Sequence, residues 1–259
     1  MKRTKIEINT ADFPARFHPL LIGDVYDSSC SNAARVWFLD AEGGCYLKRA
    51  ERGALENEAL MTRFFHDKGL AAEVLSYESS EYDWLLTRKV SGEDCIHAMY
   101  LEDPRRLSDL LGQLLRQLHE EATENCTICR SAEYLETAKR NFEAKAYDAS
   151  HFPDNWGYAS AEEAWRFIEE NGKYLRSDVL LHGDYCLPNI MLDDWRFSAF
   201  IDLGGAGLGD RHIDLFWGIW SLGYNLKTDA YRDRFLDAYG RDKVQEEMLR
   251  LISACEVFG

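Results

Sequence analysis

Asp184, Asn189 and Asp202 stand in an order and at a spacing that suit phosphoryl transfer. They lie in the run LLHGDYCLPNIMLDDWRFSAFIDLGG, where His182 and Asp184 begin an H-x-D-x-x-x-x-N loop and Asp202 opens a D-x-G after a short hairpin. That is the order of a kinase catalytic loop and its metal-binding turn. Phosphoryl transfer needs a carboxylate to orient or deprotonate the accepting hydroxyl, which makes Asp184 the candidate catalytic base. It also needs Mg2+ to neutralise charge between the phosphates. A carboxylate and an amide carbonyl are the hard oxygen donors that this ion prefers, so Asn189 and Asp202 are the candidate metal ligands.

Further candidates lie upstream. Lys48 sits in CYLKRA, on a strand after a hairpin, a suitable place for a lysine that grips nucleotide phosphates. Glu58 falls on the apolar stripe of the next helix, with Leu55, Thr62 and Phe65. A carboxylate turned into a core demands a partner, and Lys48 is the candidate. Ser31 and Asn32 lie in DSSCSNAAR, a polar turn placed where a phosphate-covering loop would be, although it lacks G-x-G-x-x-G.

Rigid elements must position these groups. ARVWFLD, AEGG and CYLKRA read as a hairpin, ALENEALMTRFFHDKG as a helix ended by Gly69, and AEVLSYE and YDWLLTRKV as two more strands. Beyond Ser91-Gly92 the pattern turns helical. Asp103-Pro104 caps a helix whose stripe is Leu107, Leu110, Leu111, Leu114, Leu115 and Leu118. Residues 123–160 carry weaker patterns and much charge, 161–171 read as a short helix, and IMLD and FSAFID as two short strands. Three helical stretches close the chain: DRHIDLFWGIWSLGYN, TDAYRDRFLDAYG and KVQEEMLRLISACEVF. The expected class is α+β, with a small β-rich N-lobe over residues 1–90 and a larger, mainly helical C-lobe over 91–259.

Composition bounds the partners. The formal charge of −15, without a basic patch, argues against nucleic acid and suits a cationic ligand, since an acidic cleft concentrates one. No apolar run approaches the ~18 residues of a membrane span, and MKRTKIEINTADF lacks the apolar core of a secretory signal, so a cytoplasmic protein is expected. The seven cysteines offer only one C-x-x-C, Cys126 and Cys129, with no second pair for zinc; reduced thiols are expected. Trp217 and Trp220, at helical spacing, fit core packing, with a stacking surface for a sugar or base as the alternative.

The HGDYCLPNIML…FSAFIDLGGAGLGDRHIDL run resembles the aminoglycoside phosphotransferases, closest to the 3′-phosphotransferases, and the likeness runs nearly end to end, to the acidic and aromatic ending CEVFG. The resemblance implies a bilobal, protein-kinase-like fold and a Mg2+-dependent enzyme that moves the γ-phosphoryl group of ATP or GTP to a hydroxyl of a polycationic aminoglycoside, conferring resistance. The alternatives are a kinase of another hydroxylated amine, sugar or antibiotic, or a nucleotide-binding pseudokinase. It implies Asp184 as base, Lys48 and Glu58 as the phosphate-binding pair, Arg88 to Val90 as the hinge that meets adenine, and Asp214 as a brace for the catalytic loop. Asp154, Asn155, Glu256 and Phe258 match acceptor contacts, and a monomer or weak dimer is expected. Three positions depart from the family: Gly205 and Trp220 replace arginines, and Cys255 an acidic residue.

Overall fold

The structure is a computed structural model and describes residues 3–148 and 157–259. In chain order its strands and helices are β1 (Thr4–Ile6), β2 (Val25–Asp27), β3 (Ala34–Leu39), β4 (Cys45–Glu51), α1 (Glu56–Asp67), β5 (Val74–Ser79), β6 (Tyr82–Arg88), β7 (Glu93–Asp94), α2 (Ala98–Leu101), α3 (Pro104–His119) and α4 (Arg130–Ala144). There follow α5 (Ala161–Asn171), β8 (Val179–Leu181), β9 (Ile190–Asp193), β10 (Arg196–Phe200), β11 (Gly207–Gly209), α6 (His212–Leu226), α7 (Arg232–Tyr239) and α8 (Glu246–Glu256). The class is α+β, as a strand-rich first part followed by a helical remainder predicts.

The chain divides into two compact units, one of Met1–His97 with Pro188–Gly204, the other of Ala98–Leu187 with Gly205–Gly259. This is not a single cut at 90/91. The β9–β10 hairpin belongs with the first unit because β9 pairs with β7, and the Phe200 N–H donates to the Leu70 carbonyl at 2.8 Å.

The first unit is built on an antiparallel sheet of order β1-β2-β3-β4-β6-β5. Alternation along β3, β4 and β6 sends Trp37, Leu39, Leu47, Trp84 and Leu86 to one face, where they pack with Phe13 and Phe17. The opposite face carries Ala50 and Leu85 against Leu55 and Ala59 at the start of α1. Lys48 pairs with Val36 on one side and Leu85 on the other, so it is on the central strand, on the face that α1 covers.

In the second unit α3 begins at an Asp103 cap that accepts from the Arg106 N–H, and it buries Leu107, Leu111, Leu114, Leu115 and Leu118. A second cluster joins α4, α5 and α8 through Ala138, Ala164, Ile168, Leu251 and Phe258. Helix α4 escapes a reading of the sequence because its buried positions are only Ser131 and Ala138 and its cap residue, Cys129, offers no side-chain bond. All seven cysteines are free thiols.

Gly112, inside α3, marks the closest approach of α7. A Cβ there would lie 2.4 Å from the Phe235 carbonyl oxygen and 2.8 Å from the Ala238 Cβ. Alanine would favour an isolated helix by about 1 kcal/mol over glycine. Against a backbone carbonyl, that gain is overridden. Gly112→Ala is expected to destabilise the protein by about 1–3 kcal/mol, read as a lower urea midpoint at unchanged m.

Candidate active site

Strand β4 and helix α1 put an ammonium and a carboxylate face to face in the first unit. Lys48 Nζ donates to Glu58 Oε2 at 2.7 Å and also to Asp202 Oδ1. The Lys48 and Glu58 side chains are 18% and 11% exposed, and that of Asp202 53%. Burial works against the lysine's charge, but the attraction of Glu58 and then Asp202 outweighs it and raises the Lys48 pKa. Burial likewise pushes Glu58 up, the Lys48 ammonium pulls it down, and Asp202 adds to the upward push. Removing one partner of such a group leaves an uncompensated charge, at a cost of about 3–5 kcal/mol.

Asn189 and Asp202 are tied together by the base of the β9–β10 hairpin, where the Ile201 N–H donates to the Asn189 carbonyl at 3.0 Å. Asn189 is buried, at 8% exposure. Asp202 has φ +61°, in the left-handed region that costs most side chains about 1–2 kcal/mol and that aspartate tolerates better. The Asn57 side chain donates to the Gly204 carbonyl at 2.5 Å, holding the turn after Asp202 to α1.

Asp184 lies in the second unit, on a loop clamped from below. The fully buried Asp214 carboxylate, in the first turn of α6, accepts the N–H groups of His182 and Gly183, each at 2.8 Å, and lies 3.2 Å from His119 Nε2. The Tyr185 hydroxyl donates to the Leu111 carbonyl and the Leu187 N–H to Ser221 Oγ, so the loop is held on both sides of Asp184. Gly183 has φ +83°, and a Cβ there would lie 1.9 Å from the Gly205 carbonyl oxygen, so only glycine fits. The Cys186 thiol hydrogen-bonds Asp184; burial first, then that carboxylate, raise its pKa and keep it a protonated donor.

The other candidates separate. Ser31 and Asn32 are exposed on the β2–β3 loop, while the bonds that shape it come from Asp27 and Ser29: the Ser29 N–H donates to Asp27 and the Val36 N–H to Ser29 Oγ, each at 3.0 Å. The Arg88 side chain pairs with Glu73 at 2.8 Å, and the N–H groups of Arg88 and Lys89 are taken by the Glu73 and Gly44 carbonyls. Asp154 and Asn155 lie outside the described residues. The Phe258 ring is fully buried among Phe142, Tyr147 and Trp165, so it supports the end of α8 from within.

Glu256 is half-buried and receives the Tyr134 hydroxyl and the Trp217 indole N–H, two partners that sequence spacing does not single out. Nearby, in the same unit, is a cavity of about 180 Å³ whose walls include Arg130, Glu133, Tyr134, Gly183, Gly205 and Cys255. Gly205 adds no side chain to that wall, and Cys255 adds a thiol.

The donors fit magnesium in kind: a half-exposed carboxylate, an amide and the hard oxygen chemistry this ion selects. Among the described residues no three His, Cys, Asp or Glu side chains gather to hold a metal. An ion at Asn189 and Asp202 would therefore draw its remaining ligands from phosphate and water, as magnesium commonly does.

Burial pushes the Glu256 carboxyl up to about 7, against its hydrogen bonds from Tyr134 and Trp217. Below the unfolded value near 4.5 it is protonated in both states. Between that value and 7 only the unfolded chain has lost the proton, so stability falls as the pH rises to 7 and then levels. Glu256→Gln removes that loss. The fall in urea midpoint between pH 5 and pH 8 is expected to be smaller in the variant, by the equivalent of about 1–3 kcal/mol.

Residues 26–250 match the phosphotransferase enzyme family. The chain is 47% identical over 258 residues to a probable aminoglycoside 3′-phosphotransferase of Lactococcus lactis subsp. lactis strain IL1403, covering 98% of each. It is 30% identical over 174 residues to an aminoglycoside 3′-phosphotransferase of Niallia circulans, covering 67% of this chain and 66% of that one. Among solved structures, an aminoglycoside 3′-phosphotransferase of type VIII superposes with a TM-score of 0.73 at 25% identity, over 90% of this chain and 92% of that one. An aminoglycoside phosphotransferase of Streptomyces rimosus, solved with ADP and streptomycin, gives 0.71 at 23% identity over 89% and 91%. This chain belongs to the phosphotransferase enzyme family, as one of its aminoglycoside phosphotransferases.

Proposed function

We propose that this enzyme moves the γ-phosphoryl group of ATP, with GTP as the alternative donor, to the 3′-hydroxyl of an aminoglycoside antibiotic and so confers resistance. The observation that carries the reading is the Lys48–Glu58–Asp202 group, found in a chain similar over nearly its whole length to the Lactococcus enzyme. An ammonium held between two carboxylates is a preorganised phosphate clamp. The ADP in the Streptomyces structure favours an adenine nucleotide here.

In this reading residues 1–90 bind the nucleotide. Lys48 holds its phosphates, Glu58 orients the lysine, Ser31 and Asn32 cover the phosphates, and Val90, at the end of the Arg88 strand, meets the base. Asn189 and Asp202 hold Mg2+, which when bound neutralises charge between the phosphates. Residues 91–259 bind the acceptor. Asp184 orients its hydroxyl and accepts the proton as the new ester bond forms. Glu256, with Asp154 and Asn155, receives ammonium groups of the substrate, and the charge of −15 concentrates polycations around it. No helix among the described residues is long and apolar enough to cross a membrane. In this reading the enzyme works in the cytoplasm as a monomer or weak dimer.

A steady-state assay with kanamycin or neomycin and ATP or GTP tests this. Phosphorylated product at the 3′ position is expected, and its absence with every aminoglycoside would sink the substrate assignment. Turnover should stop on magnesium chelation and return when the ion is restored. Asp184→Asn is expected to lower kcat by about 10²–10⁴-fold with little change in nucleotide KM, whereas Lys48→Ala should raise the nucleotide KM.

A further inference from the structure

Cys186 stands two residues after Asp184 in the catalytic loop, and the transfer chemistry described above gives it no role. The chain turns tightly between the two: the Cys186 N–H donates to the Asp184 carbonyl at 2.7 Å. The loop is anchored on both sides of the cysteine, Tyr185 to the Leu111 carbonyl and the Leu187 N–H to Ser221 Oγ. This backbone holds the half-buried thiol against the Asp184 carboxylate, to which it is hydrogen-bonded. The thiol also meets the Ser221 hydroxyl, so it is the middle member of a chain that lies wholly within the second unit.

Counting donors fixes the direction of that chain. Ser221 is buried in α6, and its oxygen accepts the Leu187 N–H at 2.9 Å and the Asn225 side-chain amide at 3.3 Å. The same amide is fixed by the Ser221 carbonyl at 2.8 Å. A hydroxyl has two acceptor lone pairs and one proton. With both lone pairs occupied, the Ser221 proton goes to the Cys186 sulfur, and the sulfur turns its own S–H on Asp184. An ionised carboxylate can only accept, so this arrangement satisfies every member. Burial first, then the Asp184 charge, hold the thiol in its protonated form, the form that can donate.

The kind of donor matters to a base. A carboxylate that takes a proton from a hydroxyl must present an oxygen in a fixed direction. A cation at position 186 would fix the carboxylate too, but an opposite charge favours the ionised form and lowers its proton affinity. A thiol is a neutral, weak donor, and it sets direction at a smaller cost in basicity. We propose that Cys186, oriented by Ser221, is a positioning residue for Asp184: its S–H fixes the rotation of the carboxylate, and with it the oxygen presented to the acceptor hydroxyl. The proposal rests on the reading of Asp184 as the base.

The test compares wild type, Cys186→Ala, Cys186→Val and Cys186→Ser, measuring kcat and KM for kanamycin and for ATP. Alanine and valine both remove the donor, valine while filling the space, and serine keeps a donor. The alanine and valine variants are expected to lower kcat about tenfold, the worth of one hydrogen bond to a charged group, with both KM values within about twofold. Cys186→Ser should recover most of the loss, and Cys186→Ala should cost nothing further in an Asp184→Asn background. Valine at wild-type kcat, or serine as slow as alanine, would overturn the proposal. Infrared difference spectra give a readout that needs no turnover. The S–H band that Cys186→Ser removes should move to higher frequency in Asp184→Ala, and a band that stays in place would also overturn it. If Asp184→Asn loses turnover and no Cys186 variant does, the positioning role alone fails. If Asp184→Asn keeps wild-type kcat, the base reading fails and the positioning role with it.

Discussion

One ammonium group organises the catalytic side of the first unit. Lys48 Nζ meets Glu58 on α1 and Asp202 at the end of the β9–β10 hairpin, so three separate elements converge on a single charge. Buried ions are costly to desolvate, and an attraction between them recovers that cost only when the geometry is close. The rest of the unit supplies that geometry. Lys48 is held in register by strands on both sides of β4, and Glu58 is held by a helix whose Ala59 packs on the sheet and whose Phe65 packs on Phe200. Asn57 and the Ile201 N–H secure the hairpin end.

The second unit repeats the principle with opposite signs. There the organising charge is a carboxylate, Asp214, and the groups it gathers are two backbone N–H donors and a histidine. A buried carboxylate at the first turn of a helix gains from the helix dipole as well as from its donors. The result is a loop whose backbone is set before any substrate arrives, with Asp184 as the residue it displays.

Much of this was legible in the residues. The order Asp184, Asn189, Asp202 pointed to the chemistry, and the inward position of Glu58 on its stripe predicted the partner that Lys48 proves to be. The α+β class, the Leu-rich α3 and the β3–β4 hairpin followed from periodicity. What stayed hidden depends on contacts far apart in sequence. Tyr134 and Trp217 reach Glu256 from two other helices, and no spacing rule connects them. Helix α4 buries too little apolar surface to announce itself. Trp220 shows the reverse case: the spacing fitted a core, yet the side chain is exposed, and exposure is a property of the neighbours a residue lacks. Ser31 and Asn32 look like the polar part of their loop, yet Asp27 and Ser29 make the bonds that shape it.

The left-handed backbone of Asp202 bears on how this site can change over time. In the proposed role of Asp202 as a magnesium ligand, two filters act on that one position. Coordination chemistry admits any short oxygen ligand, whereas the dihedral admits glycine, asparagine and aspartate far more readily than other residues. Only aspartate and asparagine pass both, and only aspartate also carries the charge that Lys48 is held against. Glutamate, the smallest change in chemistry, is disfavoured by the main chain rather than by the coordination chemistry. Drift at this site is therefore confined by local conformation to a narrower path than its reaction requires.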